Sequence, residues 1–307
     1  MNAFAAVNGY AAKNIVWKLS DLGPTPEEEW DRLQSFLGIG KADFEVMLAT
    51  VEPLFRRGHE LVVGTYDYLL NHHDTAVILG WEKGANPQHL AERRRFFTVW
   101  LARTLGLDLS HDLARYLFHA GQVHAAHGPR QIHVPERYVT GSVSLVNATF
   151  AKILMEEMPG NPVVPAALAS WNKLLSLHLH LMLLGYQTAR AWDDGEHPIE
   201  LSFFGRVRRY TRREKMIIHL PKNGRMETLL IRFFNYFPNM RPDVFDIEWL
   251  GQDRLDDDGR TWLITEKTYR ARRGWRVLLN GRDVFFEAGL DQIIQPNDKI
   301  SIFPPGR

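Results

Sequence analysis

The feature that most constrains this chain is a change of hydrophobic period part-way along it. From about residue 25 to 195 apolar residues recur every three or four positions, as on a helix; after about 225 they form short runs bounded by turn residues, as in strands. One packed layer cannot satisfy both periods, so two domains are expected, an all-α one followed by a small α+β one. A length of 307 residues, 45% of them hydrophobic, is enough to build two cores. The expected division is a helical domain over 1–195, a linker over 196–225 and a strand-rich domain over 226–307.

Helix signals are dense in the first part. Thr25-Pro26-Glu27-Glu28-Glu29 combines a capping residue, a first-turn proline and acids at the positive dipole end. Further helices are expected over 42–54, 60–70, 87–105 and 113–126, then two long ones over 135–158 and 166–191 separated by Pro159-Gly160-Asn161-Pro162. Trp171, Leu174, Leu175, Leu177, His178, Leu181, Met182 and Tyr186 give the last helix an apolar band wide enough to suggest burial on several sides, as at a dimer seam. Asp193-Asp194-Gly195-Glu196-His197-Pro198 marks the boundary, and the basic run over 206–215 reads as a solvated linker.

Strands are expected over 229–234, 244–249, 274–279, 283–286 and 299–303, with a hairpin turn at Asn280-Gly281 and a short helix within 258–272.

Several function classes drop out. The chain has no cysteine, which excludes disulfides, thiolate nucleophiles and thiolate-ligated metals. A formal net charge of +1 gives no global pull toward nucleic acid or membrane. Met1-Asn2-Ala3-Phe4 does not open a signal peptide, and the most apolar stretch, 174–186, is too short to span a bilayer, so a cytoplasmic location is expected. His73-Asp74 lacks the companions of a phosphohydrolase metal pair. Gly38-Ile39-Gly40-Lys41 lacks the spacing of a phosphate loop, and no Ser–His–Asp arrangement stands out. These motifs give no enzyme signature, so a non-enzymatic role is expected ahead of an enzymatic one.

Thirteen histidines remain, with His111, His119, His124, His127 and His133 close together. On spacing alone His124 is either a core residue or a metal ligand. His124 and His127 are three apart and on one helix could share a metal, although no acidic residue joins them at ligand spacing.

The order of motifs over residues 25–192 resembles the protoglobin and globin-coupled sensor family. The motifs are Ser35-Phe36-Leu37-Gly38-Ile39-Gly40-Lys41, Val63-Gly64-Thr65-Tyr66-Asp67-Tyr68-Leu69, Ala120-Gly121-Gln122-Val123-His124, Val134-Pro135-Glu136-Arg137-Tyr138 and the long stretch 167–186. The resemblance implies a globin fold that binds haem b, with His124 as the proximal iron ligand and Tyr66 as the distal tyrosine. It makes Phe97, with Phe96 beside it, the wall of the distal pocket. An insertion of about four residues after His124 makes His127 the rival ligand. Tyr68 is the competitor of Tyr66, on another helix face. The implied ligand is a diatomic gas (O2, CO or NO), and the implied assembly is a homodimer through the 135–158 and 166–191 helices.

Residues 226–307 resemble the ubiquitin-like β-grasp sulfur carriers, such as the small subunit of molybdopterin synthase. The resemblance rests on Val277-Leu278-Leu279-Asn280-Gly281-Arg282-Asp283-Val284 and on Asn297-Asp298-Lys299-Ile300-Ser301-Ile302-Phe303-Pro304-Pro305. Those carriers end in a diglycine, whereas this sequence reads Pro305-Gly306-Arg307, so a protein-binding role is expected ahead of sulfur carriage. The leading expectation is a haem-based gas or redox sensor that signals to a β-grasp interaction domain with an unknown protein partner. The alternatives are a haem-free globin/β-grasp adaptor and a haem-regulated sulfur carrier.

Overall fold

The computed structural model describes residues 17–20 and 22–306. The leader reading at Met1–Phe4 and the terminal Arg307 lie outside them. The chain forms two compact units. One is Pro26–Arg190; the other takes the chain from Ala191 onward together with the described residues before Pro26.

The first unit is all helix: α1 (Pro26–Phe36), α2 (Lys41–Leu48), α3 (Val51–Arg56), α4 (Gly58–Asn71), α5 (His73–Leu79), α6 (Pro87–Leu105), α7 (His111–His124), α8 (Glu136–Glu157) and α9 (Val163–Asp193), whose last residues belong to the second unit. The single helix expected over 42–54 is broken at Ala49-Thr50, where the Thr50 hydroxyl donates to the Met47 carbonyl and accepts from Trp171 Nε1 (2.9 Å). Asn86 caps α6 by accepting from His89 N, and Ser110 caps α7 by accepting from Leu113 N.

The core gathers Trp30, Leu54, Trp100, Leu117, Phe150 and Trp171 with Leu174, Leu175, Leu177 and Leu181. The wide apolar band of α9 is therefore buried by the unit's own helices, and its width does not require a second copy.

The second unit holds β1 (Lys18–Leu19), β2 (His197–Phe203), α10 (Val207–Thr211), β3 (Lys215–Leu220), α11 (Met226–Tyr236), α12 (Arg241–Val244), β4 (Phe245–Leu255), β5 (Thr261–Ala271), β6 (Arg276–Leu279), β7 (Arg282–Asp283) and β8 (Lys299–Phe303). One sheet runs in the order β3-β2-β8-β6-β7, with β2 and β8 parallel and the other pairs antiparallel. The first hairpin, the helix after it and the parallel pairing of first and last strands make this a β-grasp. The second sheet, β1-β5-β4, is built on a long β4–β5 hairpin between α12 and β6, with β1 paired to β5.

Four local expectations change. Residues 196–225 are not a linker: Ile199, Leu201 and Phe203 alternate with polar residues and are buried in β2, and β3 pairs with it across the whole strand. Leu229–Phe234 is helix, not strand. The run alone is ambiguous, but from Met226 the buried residues fall at helical spacing (226, 229, 230, 233, 234). The helix expected within 258–272 is β5, rich in β-branched and aromatic residues and paired residue for residue with β4. Of the strand expected at 283–286, only Asp283 belongs to β7; a 3-10 turn follows.

Candidate functional site

Helix α7 ends on His124. Its Nδ1 lies 2.7 Å from the Ala120 carbonyl oxygen one turn earlier. A carbonyl only accepts, so Nδ1 carries the proton and Nε2 presents its lone pair. The ring is partly buried; burial holds its pKa below the ordinary histidine value, and the Arg93 guanidinium pushes the same way against the Ala120 bond. His124 is thus a neutral imidazole with an oriented lone pair, the form that binds a metal ion.

The insertion after His124 is folded against the helix end. Ala126 takes a left-handed conformation (φ 76°), Ala125 bridges His133, and Val134 N donates to the His124 carbonyl (2.8 Å). The loop therefore closes back on the end of α7. His127 lies beyond the helix, in this loop, with its N–H on the Gln122 carbonyl. The two histidines do not share a helix face. Among the described residues no group of three or more His, Asp or Glu side chains could hold a metal ion by itself.

Glycine fixes where α7 lies. A Cβ on Gly121 would sit 1.8 Å from the Met182 carbonyl oxygen, and one on Gly185 would sit 1.8 Å from that of Phe118. Helices α7 and α9 meet backbone to backbone at this reciprocal pair, three residues before His124. Only glycine permits the approach.

Helices α4 and α6 hold an aromatic cluster. Tyr66 on α4 donates its hydroxyl to the Arg93 carbonyl (2.9 Å), and its ring meets Phe97 edge-on (6.2 Å, 87°) and Trp81 at 6.4 Å. Burial pushes the phenol up to about 12, so Tyr66 is a neutral donor across the physiological range. Phe97 stacks on Trp100 (5.3 Å, 18°). Phe96 points away from this cluster and is 60% exposed, so it is not placed with Phe97. Tyr68 is exposed as well and packs near His72, which removes it as a rival of Tyr66.

Three features were not singled out from the sequence. Arg93 reaches His89 Nε2 with its Nε (3.0 Å), while Trp81 Nε1 contacts Nδ1 of the same ring (3.1 Å). His178 is fully buried, stacked on Trp30 (5.9 Å) and edge-on to Trp100 (6.2 Å). Among the described residues neither of its ring nitrogens has a partner, nor does the indole nitrogen of Trp30 or Trp100. The available signal was spacing: His89, Arg93, Phe97 and Trp100 fall at helical intervals on α6.

A helical unit in which one helix offers an oriented histidine and others an aromatic wall with a phenol is globin-like in kind. The family model described as Protoglobin matches residues 26–192, and the chain belongs to that family. Compared with curated proteins, the chain finds no match. Among solved structures it is similar to a putative molybdopterin converting factor, subunit 1, from Pyrococcus furiosus. That likeness is 19% identical and covers 36% of this chain and 100% of the other, at TM-score 0.25. Small archaeal modifier protein 1 from Haloferax volcanii is 17% identical (36% and 100% covered, TM-score 0.25), and its counterpart from Methanosarcina acetivorans is 16% identical (36% and 93%, TM-score 0.25). The β-grasp assignment itself rests on the strand order given above.

Proposed function

We propose that the helical unit binds haem b through His124 and that the chain is a haem-based gas or redox sensor whose β-grasp unit is the interaction domain. The observation that carries this is the His124 imidazole, proton fixed on Nδ1 by the Ala120 carbonyl and lone pair presented at Nε2. Family membership supports it. When bound, the haem would supply an iron able to take a diatomic gas such as O2, CO or NO. Tyr66 would turn its hydroxyl from the Arg93 carbonyl toward such a ligand, and Phe97 would wall the same face.

The path outward runs through α9. Its Gly185 touches α7 at Phe118, and its last turn carries Trp192, packed among Phe233, Tyr236 and Phe237 of the β-grasp with its indole donating to the Ile217 carbonyl. A shift of α7 on ligation would be felt along α9, the kind of two-state element that sensing requires. A homodimer through α8 and α9 belongs to the same proposal.

Protein purified with haem supplied should show a Soret band. His124→Ala should abolish or strongly alter it, and His127→Ala should leave it in place. The reverse pattern would move the ligand to His127, and no band in the wild type would end the haem reading.

A second reading, a haem-free adaptor, draws on the β4–β5 arm. Trp249, Leu255, Trp262 and Leu263 are all more than half exposed there, and β4 has no further strand beside it among the described residues. This reading expects Trp249→Ser with Leu263→Ser to lower self-association in light scattering. An unchanged scattering profile would count against it.

A further inference from the structure

We propose that Arg93 is the receptor for a small monovalent anion, of the size of azide or nitrite, on the Tyr66–Phe97 face of the site; this rests on the pocket reading above. Arg93 stands one helical turn before Phe97, and its own carbonyl holds the Tyr66 hydroxyl. Its guanidinium is permanently charged. Among the described residues the only side chain it hydrogen-bonds is His89 (3.0 Å), and that ring also meets the Trp81 indole.

Trp81 Nε1 and Arg93 Nε are both obligate donors, and they point at the two nitrogens of one ring. Burial, followed by the Arg93 and Arg130 charges, holds the His89 pKa below the usual value and keeps the ring neutral. A neutral imidazole has one lone pair. Whichever donor takes it, the other faces an N–H. Trp81 is buried and fixed, so the conflict falls on Arg93, whose side chain is partly exposed.

Among the described residues no carboxylate bonds the guanidinium, and Glu92 acts on it only at longer range. Glu92 is taken by both forks of Arg130 (2.9 and 2.7 Å), and Asp67 by Arg94 (3.2 Å). The terminal nitrogens of Arg93 make no hydrogen bond to a described residue. A partly buried guanidinium with a free fork is stabilised by a planar or linear anion, which it grips with two charge-assisted bonds. The Arg93 charge acts on Tyr66, whose hydroxyl its own carbonyl holds. The neutral Tyr66 hydroxyl, one hydrogen bond away, is the natural second donor to such a ligand.

The test is azide titration of the oxidised, haem-loaded full chain, read from the Soret shift, beside CO titration of the reduced form. Arg93→Met should weaken azide about tenfold or more, the worth of one charge-assisted contact, and change CO by less than about threefold. Arg93→Lys should recover most of the azide affinity. Equal losses of azide and CO would mean a structural role and overturn the proposal. Faster haem loss from Arg93→Met with azide affinity intact would also overturn it, assigning Arg93 to a haem propionate.

If the wild type takes up no haem, the haem reading fails by itself and thermal melting of the haem-free chain decides. A rise in Tm with millimolar azide or nitrite, absent in Arg93→Met, upholds the anion site. No rise overturns it.

Discussion

Two arginines, one in each unit, solve opposite problems. Arg241 in the β-grasp is 3% exposed and fully used: Nε donates to the Phe234 carbonyl, Nη1 to the Gly23 carbonyl and Nη2 to Asn235 Oδ1 (2.7 Å). It knits the start of the described chain, the end of α11 and the turn after it into one corner. Arg93 in the globin unit has no such acceptors and meets a ring already addressed by a second donor. The tryptophans divide within each unit: Trp192 and Trp275 donate to the carbonyls of Ile217 and Asp243, and Trp171 to Thr50, whereas no described residue accepts from Trp17, Trp30 or Trp100. Satisfied polar groups specify a rigid scaffold, whereas unsatisfied ones mark where a protein is built to receive something.

The harshest way to break this contrast is Arg241→Leu. One buried and two part-buried acceptors lose their donor at once, at roughly 1–3 kcal/mol each, so the β-grasp should lose about 5 kcal/mol in urea unfolding. A loss below about 1 kcal/mol would show that the corner holds without its arginine. Gly185→Ala comes next. The added Cβ meets a backbone oxygen, which cannot step aside as a flexible side chain can, so α7 and α9 must separate. The expected cost is about 3 kcal/mol, with a Soret band shifted or lost because His124 rides on α7. An unshifted melting curve would mean that the two helices do not meet as described.

These residues also show what the sequence could and could not disclose. The helical unit was readable because its long apolar periods bury one face each, and because Gly121 and His124 are spaced by a motif that geometry demands. The proton position on His124 was not readable, since it depends on the Ala120 carbonyl. The β-grasp ends were readable at Asn280-Gly281 and Ile300–Phe303, where turn chemistry and alternation agree.

The first hairpin was missed because its two short strands flank the charged run over 206–215, which itself holds α10, and are made stable only by pairing. Strand and helix were confused at Leu229–Phe234, where a six-residue apolar run fits both periods. Arg93 looked like any surface charge of a helix; its isolation appears only when Glu92 and Asp67 are found already paired.

A gentler probe is His178→Phe, which keeps the ring and removes two orphaned nitrogens. Burial pushes His178 down to about 3 from an ordinary value of 6.5. The unfolded chain therefore takes up a proton that the folded one resists. The stability this group permits is complete above pH 6.5 and is lost as pH falls toward 3, by on the order of 4 kcal/mol over that window. His178→Phe should be about 1 kcal/mol more stable than wild type at pH 7 and lose much of the slope between pH 6.5 and 4. A variant that is less stable at pH 7, with the slope intact, would mean that His178 has a partner of its own, such as an internal water.

The smallest effect separates the role of Tyr66 in the fold from its role toward a ligand. Its hydroxyl donates to a carbonyl inside α6, so Tyr66→Phe should cost less than about 1 kcal/mol of stability. Phe97 and Trp81 would still pack on the ring. In the haem-loaded protein the same change should speed O2 release severalfold and leave CO release nearly unchanged, because bound O2 is the more polar ligand and gains more from a donor. With the phenol held near 12, O2 release in the wild type should stay flat from pH 6 to pH 10. Equal changes for O2 and CO would show that Tyr66 acts by filling space, and the hydroxyl would then serve only to tie α4 to α6.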